Sequence, residues 1–321
     1  MTGSSVTASG TTASSTRTGP APRSPRTAEA CTTEAHAVSP APDATTPCAA
    51  PCTTSYHRLD TLAPVLRVRC APPRRGRGWI PAADLAARPE AVRDLIAHDA
   101  RQGLARYGRP LRPDVAAGFG LHRFVWPVAL LFTVPWFLER RVPLLSAEDV
   151  ALRRRTGEVT VRPGAFACLP DDPAARLPQA RTVPDEAALA AELRSALSEF
   201  LAPALAAFRP EVRRGPRVLW AMATDAAVEG LWYVGGLLGE EERVQAELSA
   251  LLEPAAPAYA PGVADAPAPA PAPFTPGAGF TATAVGRGGA SGTDRARASC
   301  CLVYTAEPAD MCGGCPRVTR S

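Results

Sequence analysis

Phe124-Val-Trp-Pro-Val-Ala-Leu-Leu-Phe-Thr-Val-Pro-Trp-Phe-Leu138 is the most apolar run of this 321-residue chain. It lies between His122-Arg123 and Glu139-Arg140-Arg141, and it contains Pro127 and Pro135. A membrane-spanning helix needs about 20 apolar residues, so we consider this run too short to cross a bilayer. We predict a helix buried on all sides that begins near Pro127 and ends or kinks at Pro135, with docking on a membrane surface as the alternative.

Further stretches with apolar residues at helical spacing surround this run. They lie at about residues 89–106, 182–208, 217–238 and 240–252. Pro203 should kink the second of them. Two adjoining apolar helices imply a core made of packed helices. We expect the aromatic residues around Trp220 to belong to that core, and the alternative is that they line a ligand cleft.

A smaller β part is predicted between the helices. Residues 61–70 alternate loosely and predict a strand, and Ser146-Ala-Glu-Asp149 resembles a capping box that starts a short helix. Residues 157–162 and 164–169 predict a small hairpin that turns at Pro163-Gly164. The predicted fold class is therefore mainly α, an α+β fold with a small β-hairpin.

Composition divides the chain into four segments. Residues 1–57 consist mostly of Ser, Thr, Ala and Pro, which cannot bury enough apolar surface to offset the entropy of ordering, so we predict disorder there. Residues 58–252 form the helical body. Residues 253–279 are a linker rich in proline and alanine, expected to be extended. Residues 280–321 form the fourth segment, which holds the densest group of cysteines.

Several single residues could suggest a site but have simpler explanations. We expect His122 to cap a helix or to lie in the core rather than to bind a metal. Cys168 alternates with Phe166 and is predicted to be buried. Asp171-Asp172, which lies between two prolines, is predicted to form a solvated turn rather than a metal site. Three cysteines of the N-terminal segment are expected to be inert thiols: Cys31, Cys48 and Cys52.

The overall composition limits the possible partners. The chain has no lysine and no asparagine, which indicates GC-rich bacterial coding DNA, so runs of arginine carry little functional weight. The formal net charge is only +4, which argues against a nucleic-acid partner. The phosphate-binding glycine motifs and the Gly-x-Ser-x-Gly elbow are absent from the sequence. Without a nicotinamide or flavin motif, electrons for any redox reaction would have to come from a separate donor.

Four of the nine cysteines lie near the C-terminus, as Cys300-Cys301 followed by Cys312-Gly-Gly-Cys315-Pro316. The two-residue spacing of the second pair lets a tight turn present both thiolates to one metal, and glycine permits the backbone that such a turn needs. Neighbouring side chains on a strand point to opposite faces, so Cys300 and Cys301 can share a site only if the backbone turns there.

A two-iron cluster tolerates an adjacent cysteine pair better than a single ion does, because its ligands approach from several sides, and four cysteines are the usual ligands of a 2Fe-2S centre. Three alternatives remain for these cysteines. One is a structural zinc site with four cysteine ligands, which usually come as two Cys-x-x-Cys pairs. Another is a set of disulfides, which would require an oxidising compartment. The third is that the four cysteines lie near one another by accident.

The arrangement Cys-Cys, ten residues, Cys, two residues, Cys resembles the C-terminal signature of the FhuF-type ferric-siderophore reductases. The approach to the pair, Arg295-Ala-Arg297-Ala-Ser299-Cys300-Cys301-Leu302-Val303-Tyr304, is also similar to the family's. The resemblance covers about the last thirty residues. It implies a 2Fe-2S cluster whose ligands, and whose catalytic electron-transfer centre, are Cys300, Cys301, Cys312 and Cys315.

The function that we expect is an electron-transfer oxidoreductase that reduces iron(III) in a ferric siderophore and releases iron(II). Its partners would be the ferric siderophore and an external donor protein or flavin reductase. Its location would be cytoplasmic, with at most peripheral association at the inner face of the membrane, since the N-terminus lacks a secretory signal. Arg295 and Arg297 could raise the cluster potential or attract an anionic chelate, but we expect a solvated basic flank. The rival functions are a binding or assembly protein with structural zinc, and an iron-sulfur redox sensor.

Overall fold

A computed structural model describes residues 50–252, 279–282 and 293–307. Most of the predicted disordered segment, most of the predicted linker, and the Cys312–Cys315 pair lie outside these residues. The described part contains seven α-helices, which confirms a mainly α fold: α1 (Thr53–Leu62), α2 (Ala82–Ala87), α3 (Pro89–Tyr107), α4 (Pro113–Glu139), α5 (Glu186–Val212), α6 (Pro216–Leu238) and α7 (Glu241–Leu252).

The strands of the described part are short and form three small sheets. The first sheet has the order β1 (Arg67–Cys70), β5 (Glu158–Val161), β4 (Val150–Arg153) and β2 (Ile80–Pro81). The second has the order β3 (Arg141–Pro143), β6 (Phe166–Cys168) and β7 (Ala180–Thr182). The third pairs β8 (Gly279–Ala282) with β9 (Thr293–Ala296), which leads directly to the first cysteine pair.

Helix α4 lies at the centre of the helical core and packs against α3, α5 and α6. Close approach is possible where α4 or its partner has glycine. A side chain at Gly120 would come within 2.9 Å of Leu95 on α3, and one at Gly230 on α6 would come within 3.3 Å of Leu130. Because α3, α5 and α6 pack around it, nearly all of α4 beyond its first turn is buried, as the apolar run predicts.

The predicted bounds of this central helix were wrong. It begins at Pro113 and includes both Pro127 and Pro135, so it has 27 residues and is long and apolar enough to span a membrane. In its most apolar window, however, 78% of the residues are buried inside the protein. Packing on every side stabilises the helix enough to offset the hydrogen bonds that the two prolines remove, which a local rule about proline cannot anticipate.

The predicted hairpin at 157–169 does not form. Both segments are extended, but β5 pairs with β1 and β4, whereas β6 pairs with β3 and β7. The connection between them is fixed at Arg162, which hydrogen-bonds through its backbone and its guanidinium to Asp149. Asp149 also closes the predicted capping box with Ser146, so that box is confirmed, at the start of a 3-10 turn.

The folded body begins earlier than the predicted boundary at residue 58. Helix α1 starts at Thr53, and the strand predicted from residue 61 begins only at Arg67. Tyr56 is fully buried, and its hydroxyl donates a 3.0 Å hydrogen bond to the Leu131 carbonyl of α4. The Ser55 backbone N–H donates to Glu139 at 2.8 Å. Buried Tyr56 and these hydrogen bonds attach the start of α1 to α4, although the composition of this segment indicates disorder.

The Asp171-Asp172 turn is solvated at only one of its two carboxylates. Asp171 is exposed, whereas the Asp172 side chain is 7% exposed and forms a two-bond ion pair with Arg141 at 2.7 and 2.8 Å. Burial by itself would raise the pKa of Asp172, but the Arg141 guanidinium and the Ala174 N–H donate to it and hold the pKa below its usual value. This pair joins β3 of the second sheet to the turn that follows β6.

We expect Leu130→Ala to lower the free energy of unfolding by about 2–5 kcal/mol, because Leu130 is fully buried between α4 and α6. Chemical denaturation measures the effect. The matched control is Leu104→Ala on α3, where the side chain is 47% exposed and the loss should be about 0.5 kcal/mol or less. Equal losses in the two variants would contradict the central position of α4.

Replacing Asp172 by Asn should destabilise the protein by about 1–2 kcal/mol at neutral pH, because the carboxylate that accepts both guanidinium bonds is lost. A folded-state pKa below the usual value of about 3.9 means that this contribution is complete above that pH and disappears as the pH falls through the folded-state pKa. Denaturation of wild type and Asp172→Asn between pH 7 and pH 3 tests this. The exposed neighbour serves as control, since Asp171→Asn removes no buried contact and should leave the stability at neutral pH almost unchanged.

Candidate metal centre

The first cysteine pair lies at the end of β9, where the chain passes across α6. Cys300 and Cys301 are both half-buried. The backbone turns immediately after them, since Leu302 has φ 62° and Val303–Thr305 form a 3-10 turn. Both cysteines can serve one site only if the backbone turns near them. The turn at Leu302 meets this requirement.

A buried carboxylate on α6 holds the chain just before the pair. Asp225 is 1% exposed and accepts three hydrogen bonds from the incoming segment. The donors are the Ala298 N–H at 2.9 Å, the Ser299 N–H at 2.8 Å and the Ser299 hydroxyl at 2.5 Å. A buried carboxylate is costly unless such donors satisfy it, so Asp225 and the cysteine segment stabilise each other.

Arg297 is held one helical turn further along α6. Its guanidinium donates to Glu229 at 2.5 Å, and its side chain is only 11% exposed. His122 of α4 lies on the other side of that carboxylate, with its Nε2 3.6 Å from a Glu229 oxygen. The prediction of a solvated basic flank is thus wrong for Arg297, because α6 presents an acid to it. Arg295 lies in β9 opposite Phe280, and its side chain is outside the described part.

Sequence reasoning missed the two acids of α6, although a signal was available. Asp225 and Glu229 are the acidic residues within an otherwise apolar helix. Their spacing of four puts them on one face. Acids on the buried face of a helix need cationic or N–H donors, so this pair predicts that another segment docks there. We expected His122 to cap a helix or to lie in the core. It lies half-buried in the middle of α4 and not at a helix start.

A cavity of about 260 Å³ opens beside the cysteine segment. Cys301 and Ser299 line one side of it, and His122, Arg123 and Phe119 of α4 line another. The first cysteine pair is thus next to a space that small molecules or further chain could enter. Within the described residues, no group of three or more His, Cys, Asp or Glu side chains could hold a metal ion.

The other described cysteines are poorly suited to metal binding. Burial raises the pKa of the Cys52 thiol, and it also raises the pKa of Cys70 and Cys168. A thiol must lose its proton to bind a metal, so these side chains favour the inert protonated form. The burial of Cys168 is as predicted. Cys31 and Cys48 lie outside the described residues.

Residues 297–317 match the model of the FhuF 2Fe-2S C-terminal domain. All four predicted ligands, Cys300, Cys301, Cys312 and Cys315, lie inside this range, although their roles as ligands stay a prediction. No curated protein matches the chain. The match indicates a 2Fe-2S cluster as the cofactor, and four thiols on the family's spacing are a donor set that fits it. The iron-sulfur interpretation is therefore favoured over structural zinc.

We expect Asp225→Ala to reduce the iron and sulfide content per chain by at least about half after anaerobic reconstitution, because three donors lose their buried acceptor. Elemental analysis and visible absorbance measure the loss. Asp94→Ala, on the exposed side of α3, should retain the full content. If both variants load equally, Asp225 does not position the cysteine segment.

Proposed function

We propose that this 2Fe-2S cluster-binding protein is a ferric-siderophore reductase. The match of residues 297–317 to the FhuF 2Fe-2S C-terminal domain, with its four cysteines at the family's spacing, carries the proposal. The position of Cys301 on the wall of a cavity supports it, because a substrate must come close to the group that delivers the electron. The substrate is an iron(III) chelate, and the products are iron(II) and the released chelator.

The chemistry rests on the difference between the two oxidation states of the substrate iron. Hydroxamate and catecholate oxygens are hard donors that hold iron(III) far more tightly than iron(II). When bound, a 2Fe-2S cluster supplies one electron at a time, which is the number that iron(III) needs. The electron is replaced by an external donor protein or flavin reductase, since the sequence has no flavin or nicotinamide motif of its own.

The described residues hold the cysteine segment in place for this task. Asp225 fixes the backbone at Ala298 and Ser299, directly before the pair. Glu229 balances the charge of Arg297, so a second contact ties the same segment to α6. Hydrogen bonds and charges around a cluster tune its potential, and these two acids contact the residues directly before the pair, which places them close enough in space to contribute.

The proposed location of the reaction is the cytoplasm, either in solution or at the inner face of the membrane. Iron(II) released there is directly available to the cell. Helix α4 is the one described helix that is apolar and long enough to cross a membrane. Its burial supports a role in the protein core.

Replacing Cys312 by Ser should remove most of the visible absorbance and at least about 90% of the reductase activity together, because a lost thiolate ligand destabilises the cluster. The assay supplies a chemical one-electron donor and a ferric chelate, and an iron(II)-specific dye traps the product. Cys70→Ser is the matched control, since Cys70 is exposed in β1 and outside the matched range. It should retain both absorbance and activity.

The decisive observation is whether activity and cluster disappear in the same variant. Activity that persists in Cys312→Ser after loss of absorbance would show that the cluster does not deliver the electron. A colourless wild-type preparation with zinc bound would contradict the cofactor itself.

A further inference from the structure

A second, larger cleft lies on the opposite side of the wall that bounds the Cys301 cavity. Its volume is about 460 Å³, within the range of about 300–1,000 Å³ that is usual for small-molecule sites. Three residues line both spaces: His122 and Arg123 of α4 and Glu229 of α6. A ligand in this cleft would therefore be separated from the cysteine-lined cavity by side chains only.

One part of the cleft surface is apolar and aromatic. Trp126 of α4 and Tyr233 of α6 are half-buried neighbours with ring centroids 5.7 Å apart, tilted by 55°. Leu152 and Val159, from β4 and β5, line the cleft as well. Aromatic rings of a ligand would find partners here, because tilted and offset ring arrangements are favourable.

The other part of the surface carries guanidinium groups that are fixed from behind. Asp99 of α3 is fully buried and accepts hydrogen bonds from both Arg123 and Arg154, the latter at 2.9 Å. The Arg123 side chain remains 41% exposed. Since Asp99 lies behind the two arginines, it positions both guanidinium groups at the cleft, and its single negative charge offsets only one of their two positive charges.

The charges that line the cleft are slightly positive in sum. Arg153 is paired with Glu158 at 3.2 Å, and Glu229 is committed to Arg297. In the described part of the protein, the buried Nε of Arg154 and Nε2 of His122 have no hydrogen-bond partner within the protein. Buried polar atoms of this kind usually find partners in water or in a ligand. Arg123 and Arg154 thus favour a ligand with negative charge.

We infer that this cleft binds the substrate chelate, and that it favours negatively charged ferric complexes with aromatic oxygen donors, of the catecholate or phenolate type. The inference rests on the proposed reductase function. Aromatic donor rings suit Trp126 and Tyr233, and the negative charge suits the guanidinium groups held by Asp99. Uncharged aliphatic hydroxamate complexes offer neither feature.

Gallium(III) complexes test binding separately from reduction, because gallium(III) has a similar size and the same charge as iron(III) but does not accept the electron. The cluster-loaded full chain is dialysed to equilibrium against a gallium–catecholate or a gallium–hydroxamate complex, and retained gallium is measured by elemental analysis. We expect the catecholate complex to bind at least about tenfold more tightly, a ratio expected for the loss of a charge-assisted contact.

Two cleft variants should each weaken binding of the gallium–catecholate complex by about tenfold. Arg123→Gln removes the exposed charge, and Trp126→Leu removes the aromatic surface without touching the Asp99 pairs, so it remains informative if the first variant fails to fold. Arg93→Gln, at an exposed position of α3, and Trp79→Leu, outside the cleft, are the matched controls and should bind like wild type.

The outcomes separate the cleft from the reductase function. If ferric chelates are reduced but neither cleft variant changes gallium binding, the cleft assignment is wrong and the reductase proposal stands. If gallium binds as expected and no ferric complex is reduced, the binding site is supported and the reductase proposal fails. Tighter binding of flavin mononucleotide than of the gallium–catecholate complex would overturn the assignment of the cleft to the chelate.

Discussion

Helix α4 has almost no polar face that water could solvate, and the rest of the body is arranged to cover it. Its apolar side chains are buried from Leu121 to Phe137, apart from the half-buried Trp126, by α3, α5 and α6. Transfer of apolar surface from water is the main stabilising term in folding. The same need explains why two internal prolines are tolerated, and why Tyr56 brings an otherwise polar N-terminal segment into the fold.

Covering α4 with α6 also creates the environment of the candidate metal centre. The packing brings the acids of α6, Asp225 and Glu229, beside His122 and Arg123 of α4. Carboxylates in such a position need donors, and the segment that leads to Cys300 provides them through Ser299 and Arg297. The electrostatic and hydrogen-bonding requirements of the helical core thus help to locate the cysteine pair.

Two spaces meet at this junction, and their walls differ in chemistry. The smaller one contacts the cysteine segment, while the larger one combines Trp126 and Tyr233 with guanidinium groups fixed by Asp99. The aromatic residues of α6 consequently have two roles: Trp220 is buried in the core, whereas Tyr233 lines the cleft. The core interpretation of this aromatic group therefore applies to Trp220, and the cleft interpretation applies to Tyr233.

The sequence by itself determined the helical class, the buried character of residues 124–138, the capping box at Ser146 and the iron-sulfur signature, because each depends on local spacing or on a short motif. Only the tertiary structure decided where α4 begins, which strands pair, and that Arg297 is buried against Glu229 rather than solvated. Those features depend on packing partners that lie far away in the chain. A carboxylate such as Asp225 becomes an anchor only when packing removes water from it and brings its donors within reach.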